Sequence, residues 1–128
     1  MKKLAFILLV MVFLTACGQN KENKQEAVYV NITAEQAKEI MDSGEDFIIL
    51  DTRTQAEYDE GHIPGAILIP HDRIKAQAES VLTQKDRMIL VYCRSGRRSK
   101  LAAEDLVEMG YTNIKEFGGI IDWPYEVE

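Results

Sequence analysis

The residues with the clearest chemical potential in this sequence are one cysteine and the basic turn that follows it. Cys93 ends an apolar run, and Arg94, Arg97 and Arg98 follow it in the stretch VYCRSGRRS. A cysteine reacts as a thiolate, and its pKa falls when it lies near cationic side chains or the N-terminus of a helix. The pattern therefore indicates a nucleophile in a turn that binds an anion.

The segment after the turn, residues 99–110, is the best predicted helix of the chain. The turn would then join a buried strand to a helix N-terminus, where backbone N–H groups form a nest for an anion and Gly96 lets the chain curl. Arginines are unfavourable at the positive end of a helix dipole, so their presence here implies an anion that compensates them. The alternative is that Cys93 is a small core residue and that the arginines only lie in solvent.

Strands and helices alternate along residues 28–128, and this alternation must position the turn. Apolar runs predict strands at residues 28–32, 47–51, 66–70, 88–93 and 113–117, and a Thr-x-x-Gln capping box at Thr33 opens the first of four helices. The pattern predicts an α/β fold with an open, mainly parallel sheet covered by helices on both faces. Ligands of such sheets bind beyond the carboxyl ends of the strands, where residues 51–53 and 93–98 stand out.

Besides the first helix, two further helices have an apolar face that we expect to pack on this sheet. Helical spacing places Ile74, Ala78, Val81 and Leu82 on one of these faces. The same spacing places Leu101, Ala102, Leu106 and Met109 on the other.

The turn also resembles the active-site loop of the rhodanese-domain sulfurtransferases. The segments IILDTRTQAEYDEGHIPGAILIP and FGGIIDW resemble further features of that family in the same order, so the resemblance covers about residues 28–128. It implies a doubly wound domain with a five-stranded, mainly parallel sheet. It also implies that Cys93 takes sulfur from a donor such as thiosulfate and carries it as a persulfide to a thiol or to cyanide.

The resemblance assigns roles to the rest of the loop as well. The backbone N–H groups of residues 94–98, which include Ser95 and Gly96, would stabilise the persulfide, and Arg94 and Arg97 would attract the donor. Arg98 either binds the donor or holds the structure. Phosphatases and arsenate reductases of related fold have a loop one residue longer, with an arginine where this chain has Ser99. The shorter loop favours sulfur over phosphate, and a non-catalytic module that binds or delivers persulfide remains the alternative to an enzyme.

Other polar residues in the sequence have structural interpretations. Asp51 and Arg53 end a neighbouring strand and either contact the catalytic loop or pair with each other, as buried charges normally do. His62 and His71 lack the partners of a metal-ligand pattern, so we expect no metal and no cofactor. Trp123 and Tyr125 are expected to cover the sheet edge or the rim of the pocket.

The first residues have the pattern of an export signal. Two lysines precede an apolar run at residues 4–14, which is too short to span a bilayer, and the sequence Leu-Thr-Ala-Cys that ends at Cys17 resembles the lipobox of bacterial lipoproteins. We therefore expect a cleaved signal peptide at residues 1–16, a lipidated Cys17 and a flexible tether at residues 17–27. This predicts a protein outside the cytoplasm, bound to a bacterial membrane through lipid.

The composition limits the partners of the domain. The chain has 15 Lys and Arg against 21 Asp and Glu, a net charge of −6, which argues against nucleic acid as a partner. We expect a monomer that uses small sulfur-containing anions.

Overall fold

The computed structural model describes residues 28–128 of the chain. The predicted signal peptide, Cys17 and the tether lie outside these residues. Within residues 28–128, no helix is both long enough and apolar enough to cross a membrane.

The described residues form five strands and four helices in alternation, as the sequence predicts. The strands are β1 (Val30–Asn31), β2 (Ile48–Asp51), β3 (Ile67–Leu68), β4 (Ile89–Cys93) and β5 (Ile114–Gly119). The helices are α1 (Ala34–Asp42), α2 (Gln55–Glu60), α3 (Ile74–Val81) and α4 (Arg97–Glu108). Short 3-10 turns at His71–Arg73 and Ile120–Asp122 complete the elements.

Two helices begin at capping boxes that the sequence encodes. At α1, Gln36 N–H donates to Thr33 Oγ1 over 3.1 Å, and Thr33 N–H donates to Gln36 Oε1 over 2.9 Å. The same reciprocal pair forms between Thr54 and Glu57 at α2. Each box satisfies two N–H groups that a helix end otherwise leaves without a partner, so these two starts are fixed locally.

All strand pairs of the sheet are parallel, in the order β1-β5-β4-β2-β3. The central strand β4 is buried along its whole length. The predicted α/β class and the five-stranded sheet are confirmed, and the sheet is entirely rather than mainly parallel. A parallel sheet buried on both faces explains why β2 and β4 read as continuous apolar runs.

Apolar clusters cover both faces of the sheet. Side chains of α3 and α4, including Ala78 and Leu106, pack on one face. Ala37 of α1, Ile63 and Trp123 belong to the cluster on the other face, with Tyr58 of α2 packed against it. These two layers hold β4 rigidly, so the turn that follows it starts from a fixed point.

The predicted helix faces are wrong at two positions. Leu101 of α4 is 42% exposed and Val81 of α3 is 48% exposed, although both were expected to face the sheet. In α4 the buried face instead includes Ser99 and Ala103. Helix α4 begins at Arg97, two residues before the predicted start, and approaches the sheet with its small residues.

Candidate active site

The turn after β4 and the segment after β2 lie at the same edge of the sheet. β2 and β4 are neighbours, and Asp51 is paired with Tyr92 in their register. The Thr52 hydroxyl and the Thr52 N–H both donate to the carbonyl of Tyr92, over 2.9 and 3.0 Å. The structure thus brings together the two strand ends that the sequence singled out.

The loop of residues 93–98 runs directly into α4. Gly96 precedes the helix with a φ of +103°, a left-handed conformation that L side chains rarely adopt. No side chain caps this helix start, and its first turn contains no acidic residue. The N–H groups at the start of α4 therefore remain available to an acceptor inside the loop.

The Cys93 sulfur is the acceptor inside this loop. Gly96 N–H donates to Cys93 Sγ over 3.0 Å, and the Ser99 hydroxyl lies 3.3 Å from the same sulfur. Burial alone would raise the pKa of the Cys93 thiol. Hydrogen bonds from the Ser99 hydroxyl and from the backbone N–H groups of Ser99, Gly96 and Ser95 outweigh burial, and the pKa is lowered. The loop therefore stabilises a thiolate.

Ser99 also contacts a buried carboxylate that the sequence analysis did not identify. The Ser99 hydroxyl lies 2.7 Å from Glu116 Oε1, and Gly118 N–H donates to the same oxygen over 2.8 Å. Glu116 lies on β5 and is 2% exposed. The available signal was the position of Glu116 two residues after Ile114, because alternate residues of a strand share a face and a carboxylate on a buried face needs a specific partner.

The end of β5 forms one wall of the loop. The register between β4 and β5 shifts there, since Val91 pairs with Glu116 but Cys93 pairs with Gly119. A Cβ atom at Gly119 would lie 1.9 Å from the carbonyl oxygen of Arg94, far inside van der Waals contact. Glycine is therefore required at this position by close packing against the backbone of the loop.

The three arginines of the loop have different surroundings. The Arg98 guanidinium donates to both carboxylate oxygens of Glu57, over 2.6 and 2.9 Å. These bonds lower the pKa of Glu57 from its ordinary 4.5 to about 2. Arg94 and Arg97 are exposed, and neither forms an ion pair within residues 28–128. The geometry therefore leaves Arg94 and Arg97, but not Arg98, free to meet a dissolved anion.

Asp51 and Arg53 form a closed cluster beside the loop. Arg53 donates through Nε and through a terminal nitrogen to the Asp51 carboxylate, at distances from 2.7 to 3.1 Å. The Tyr92 hydroxyl donates to Asp51 Oδ2 over 2.7 Å, and Arg53 also donates to the carbonyl of Gly61. Asp51 and Arg53 thus pair with each other, which was one of the two expectations, and neither side chain hydrogen-bonds to residues 93–98.

The histidines lie in structural surroundings. The ring of His62 stacks on Tyr58 with a centroid distance of 3.8 Å, and its nitrogens face the Tyr58 carbonyl and Glu128. His71 begins a 3-10 turn. Across residues 28–128, no three His, Cys, Asp or Glu side chains are grouped as metal ligands.

A groove of about 750 Å³ lies away from the thiol. Trp123 and Tyr125 line it together with Phe47 and Met41, and none of residues 93–98 does. Because the reactive groups lie elsewhere, the size of this groove does not mark it as the site of chemistry.

Comparison with known proteins gives a consistent result. Residues 33–124 match the family model described as the rhodanese-like domain. The chain is 38% identical over 73 residues to the thiosulfate sulfurtransferase PspE of Escherichia coli, which covers 57% of this chain and 70% of that protein. It is 37% identical over 93 residues to a sulfurtransferase of Allochromatium vinosum, which covers 72% of this chain and 85% of that protein.

A solved structure shows the same architecture. The structure described as rhodanese with anions from E. coli aligns with a TM-score of 0.60 and 34% identity. This alignment covers 64% of this chain and 96% of that chain. The likeness therefore extends from sequence to backbone.

Proposed function

The chain belongs to the rhodanese-like domain family, and on that basis we propose that Cys93 carries sulfane sulfur as a persulfide from a small anionic donor to a thiophilic acceptor. The proposed donor is thiosulfate or a similar anion, and the proposed acceptor is a thiol or cyanide. The observation that carries this proposal is the convergence of N–H and O–H donors on the sulfur of Cys93.

The first half of the reaction loads the sulfur. The Cys93 thiolate attacks the outer sulfur of thiosulfate, a new S–S bond forms, and sulfite leaves with the electron pair of the broken bond. The total charge is the same before and after this step. Arg94 and Arg97 attract the donor to the mouth of the loop, because both are exposed and thiosulfate is a dianion.

The second half returns the thiolate. The acceptor attacks the outer sulfur of the persulfide, and Cys93 leaves as thiolate with the electron pair, so cyanide becomes thiocyanate. Negative charge stays on sulfur throughout both halves. Donors at the start of α4 are fixed before the reaction begins and stabilise this charge without reorganising.

The loop length supports sulfur rather than phosphate chemistry. The position that an arginine occupies in the longer loops is Ser99, and the Ser99 side chain is buried beside Cys93. A cation for a tetrahedral phosphate is therefore missing at this position. Release of phosphate from an aryl phosphate would overturn this argument.

The direct test replaces the sulfur carrier. Cys93→Ser should reduce transfer of sulfur from thiosulfate to cyanide by at least about a thousandfold, because serine is not an activated nucleophile at neutral pH. Cys17→Ser is the matched control, since it removes the other cysteine of the chain and should leave the rate unchanged. A normal rate in Cys93→Ser would overturn the proposal.

Mass spectrometry separates an enzyme from a sulfur-delivery module. After treatment with thiosulfate, the peptide that contains Cys93 should gain the mass of one sulfur atom, and cyanide should remove it rapidly through many cycles. A sulfur that stays on Cys93 until a partner protein is added would instead indicate delivery. No gain of mass would exclude both.

We also propose that the domain is attached to a bacterial membrane outside the cytoplasm through a lipid on Cys17. The support is the sequence of residues 1–17, with its basic start, apolar run and lipobox-like end. Labelling of the expressed full chain with a radioactive fatty acid should be lost in Cys17→Ser and kept in Cys93→Ser. Equal labelling of the two variants would contradict this assignment.

A further inference from the structure

The hydroxyl of Ser99 has one proton and four acceptors within reach. Glu116 Oε1 lies 2.7 Å from Ser99 Oγ, the Gly96 carbonyl 3.0 Å, Cys93 Sγ 3.3 Å and the Gly118 carbonyl 3.4 Å. A hydroxyl donates one hydrogen bond at a time. The carboxylate and the sulfur therefore compete for the same proton.

The geometry favours the carboxylate in this competition. A hydrogen bond to a carboxylate is charge-assisted, and 2.7 Å is its typical length. The distance of 3.3 Å to Cys93 Sγ is an ordinary length for a hydrogen bond to sulfur, but a neutral thiol is the weaker acceptor of the two. Ser99 is fully buried and Glu116 is 2% exposed, so water does not take over the bond. While Cys93 is a neutral thiol, its S–H can therefore point toward the Ser99 oxygen, and Ser99 donates to the thiolate only by weakening its hydrogen bond to Glu116.

The carboxylate also acts on the sulfur through space. The two contacts of Ser99 place Glu116 Oε1 within about 6 Å of Cys93 Sγ, a distance at which a like charge disfavours ionisation. Both effects have the same sign. Each opposes the thiolate that the loop N–H groups favour.

We propose that Glu116 is a positioning residue that competes with Cys93 for the Ser99 proton and so limits thiolate formation in the unloaded protein. This inference rests on the proposed function only in that it takes Cys93 as the reacting group. The hydrogen bond from Gly118 N–H keeps Glu116 at the shifted end of β5.

The charged groups around Cys93 do not cancel the electrostatic effect of Glu116. Arg98 of α4 acts electrostatically on Cys93, but its guanidinium is paired with Glu57 of α2. Asp51 and Arg53 at the end of β2 neutralise each other. The two other arginines of the turn are exposed and screened by solvent.

On the carboxylate side, Glu116 has no cationic partner in the part of the chain that the structure describes. Its hydrogen bonds within residues 28–128 come from the Ser99 hydroxyl and the backbone N–H of Gly118. Burial raises the pKa of Tyr29, before β1, and the charges of Glu104 of α4 and Glu116 raise it further. The Glu116 carboxylate is therefore not neutralised by an ion pair among these residues.

The proposal has a consequence for the direction of sulfur transfer. Ser99 and Glu116 are buried, so the donor must reach Cys93 from the side of the exposed Arg94 and Arg97. The outer sulfur of the persulfide then points away from Glu116 and bears the negative charge at a greater distance from it. Glu116 therefore disfavours charge on Sγ more than charge on the outer sulfur and shifts the equilibrium with thiosulfate and sulfite toward the loaded form.

The test measures the rate at which iodoacetamide alkylates Cys93 between pH 4 and pH 10. The full chain is used, and the peptide that contains Cys93 is followed by mass spectrometry, so that Cys17 does not interfere. Glu116→Gln should lower the midpoint of this profile by about one unit, because it removes a buried like charge and weakens the competing acceptor. A midpoint that is unchanged or raised would overturn the proposal, and a raised one would indicate that Glu116 acts as a base for the thiol.

Three further variants make this result specific. Glu104→Gln removes the same charge from an exposed position of α4 and should leave the midpoint where it is. In a Ser99→Ala background, the shift caused by Glu116→Gln should shrink by at least half, and a shift of full size would overturn the competition for the proton. If Glu116→Gln lacks the cooperative unfolding transition of a folded domain, Glu116→Met replaces it, since methionine has a similar length and no charge. Glu116→Met should shift the midpoint of the alkylation profile in the same direction.

A second measurement reads the loaded form. In mixtures of thiosulfate and sulfite at fixed ratio, Glu116→Gln should show a ratio of persulfide to thiol about threefold to tenfold lower than that of the natural chain. An equal ratio would overturn the consequence for sulfur loading. A shifted alkylation profile without any sulfur transfer in the natural chain would refute the proposed function and leave the assignment of Glu116 intact.

Discussion

The carboxyl ends of β2 and β4 lie next to each other in the sheet, and they treat their polar groups in opposite ways. At the end of β2, Asp51 and Arg53 are buried and form a bidentate pair. Asp51 also accepts a hydrogen bond from the Tyr92 hydroxyl, and Arg53 also donates one to the Gly61 carbonyl. At the end of β4, N–H groups converge on the sulfur of Cys93, and the exposed arginines of the turn have no ion-pair partner within residues 28–128. The first end is electrostatically complete, whereas the second needs an anion to complete it.

This difference shows how two similar sequence signals lead to different roles. Both ends combine a nucleophilic or acidic residue with arginines at the place where α/β sheets bind ligands. Only the second leaves donors pointing at an atom that can carry a transferred group. Position in the fold therefore selects candidates, and the state of their hydrogen bonds separates support from chemistry.

The largest expected effect on stability comes from breaking the ion pair between Asp51 and Arg53 at the end of β2. Asp51→Asn leaves the Arg53 charge buried without compensation and should lower the free energy of unfolding by about 3 to 5 kcal/mol, measured by urea denaturation. The folded fraction should keep its sulfur-transfer rate, because Asp51 makes no hydrogen bond to residues 93–98. Asp46→Asn is the control: Asp46 pairs with Arg87 but is 73% exposed, so its loss should cost at most about 1 kcal/mol. Loss of activity in folded Asp51→Asn would show that the two ends are not separate.

The next largest effect comes from displacing the loop that follows β4. Gly119→Ala pushes a methyl group into the Arg94 carbonyl and must displace the loop. Sulfur transfer should fall by about 100-fold, because small shifts of a reacting group are costly, and stability should fall by about 1 to 3 kcal/mol. Gly65→Ala, where a Cβ meets nothing within 4 Å, should retain full activity despite its positive φ. Full activity of Gly119→Ala would mean that the loop tolerates displacement.

A smaller effect concerns Arg98, the arginine of the loop that is paired with Glu57. Glu57→Gln keeps the capping box of α2 but loses the ion pair with Arg98, and should lower the free energy of unfolding by about 2 kcal/mol at pH 7. Since the pKa of Glu57 is lowered from 4.5 to about 2, its contribution is fully present above about pH 4.5 and is lost as the pH falls through about 2.

Urea denaturation at several pH values checks this dependence on Glu57. The difference between the natural chain and Glu57→Gln should shrink as the pH falls from 6 to about 2. Asp42→Asn, which removes a carboxylate that is 63% exposed, should show little difference at any pH. A difference for Glu57→Gln that does not depend on pH would contradict the pairing with Arg98.

The smallest expected effect comes from Arg94 and Arg97, the exposed arginines of the loop that follows β4. Arg94→Ala and Arg97→Ala should each lower kcat/KM for thiosulfate by about threefold to tenfold, mainly through KM, and should weaken its dependence on salt. Stability should change by less than about 0.5 kcal/mol. Lys100→Ala removes an exposed charge one turn further along α4 and should have a smaller effect. Equal effects of all three substitutions would mean that the arginines act only through the general positive charge of this surface and not through their position in the loop.

The sequence predicts the fold because its signals are local. The capping box at Thr33 marks a helix start, and continuous apolar runs mark strands that are buried on both faces. The candidate loop is equally visible, since cysteine, glycine and arginines lie within six consecutive positions. Chemistry that is contiguous in the chain can be seen before the structure is known.

The missed features all depend on contacts between distant segments. Glu116 meets Ser99 only because β5 lies beside β4 and shifts its register at that point, and no pattern of residue types encodes the shift. The interpretation of Arg98 stayed open for the same reason, since its partner Glu57 lies 41 residues away. Leu101 was misplaced because α4 approaches the sheet through small residues, and periodicity does not show which of two adjacent apolar stripes makes the closer contact.

The contact of Gly119 with the loop also has a consequence for folding. β5 is the last strand to be synthesised, and both Glu116 and the glycine wall of the loop belong to it. Parallel pairing between distant segments forms late and slowly compared with local structure. An incomplete chain therefore lacks both the glycine wall and the Glu116 carboxylate beside Cys93, and the full environment of the sulfur arises only when β5 has paired with β4.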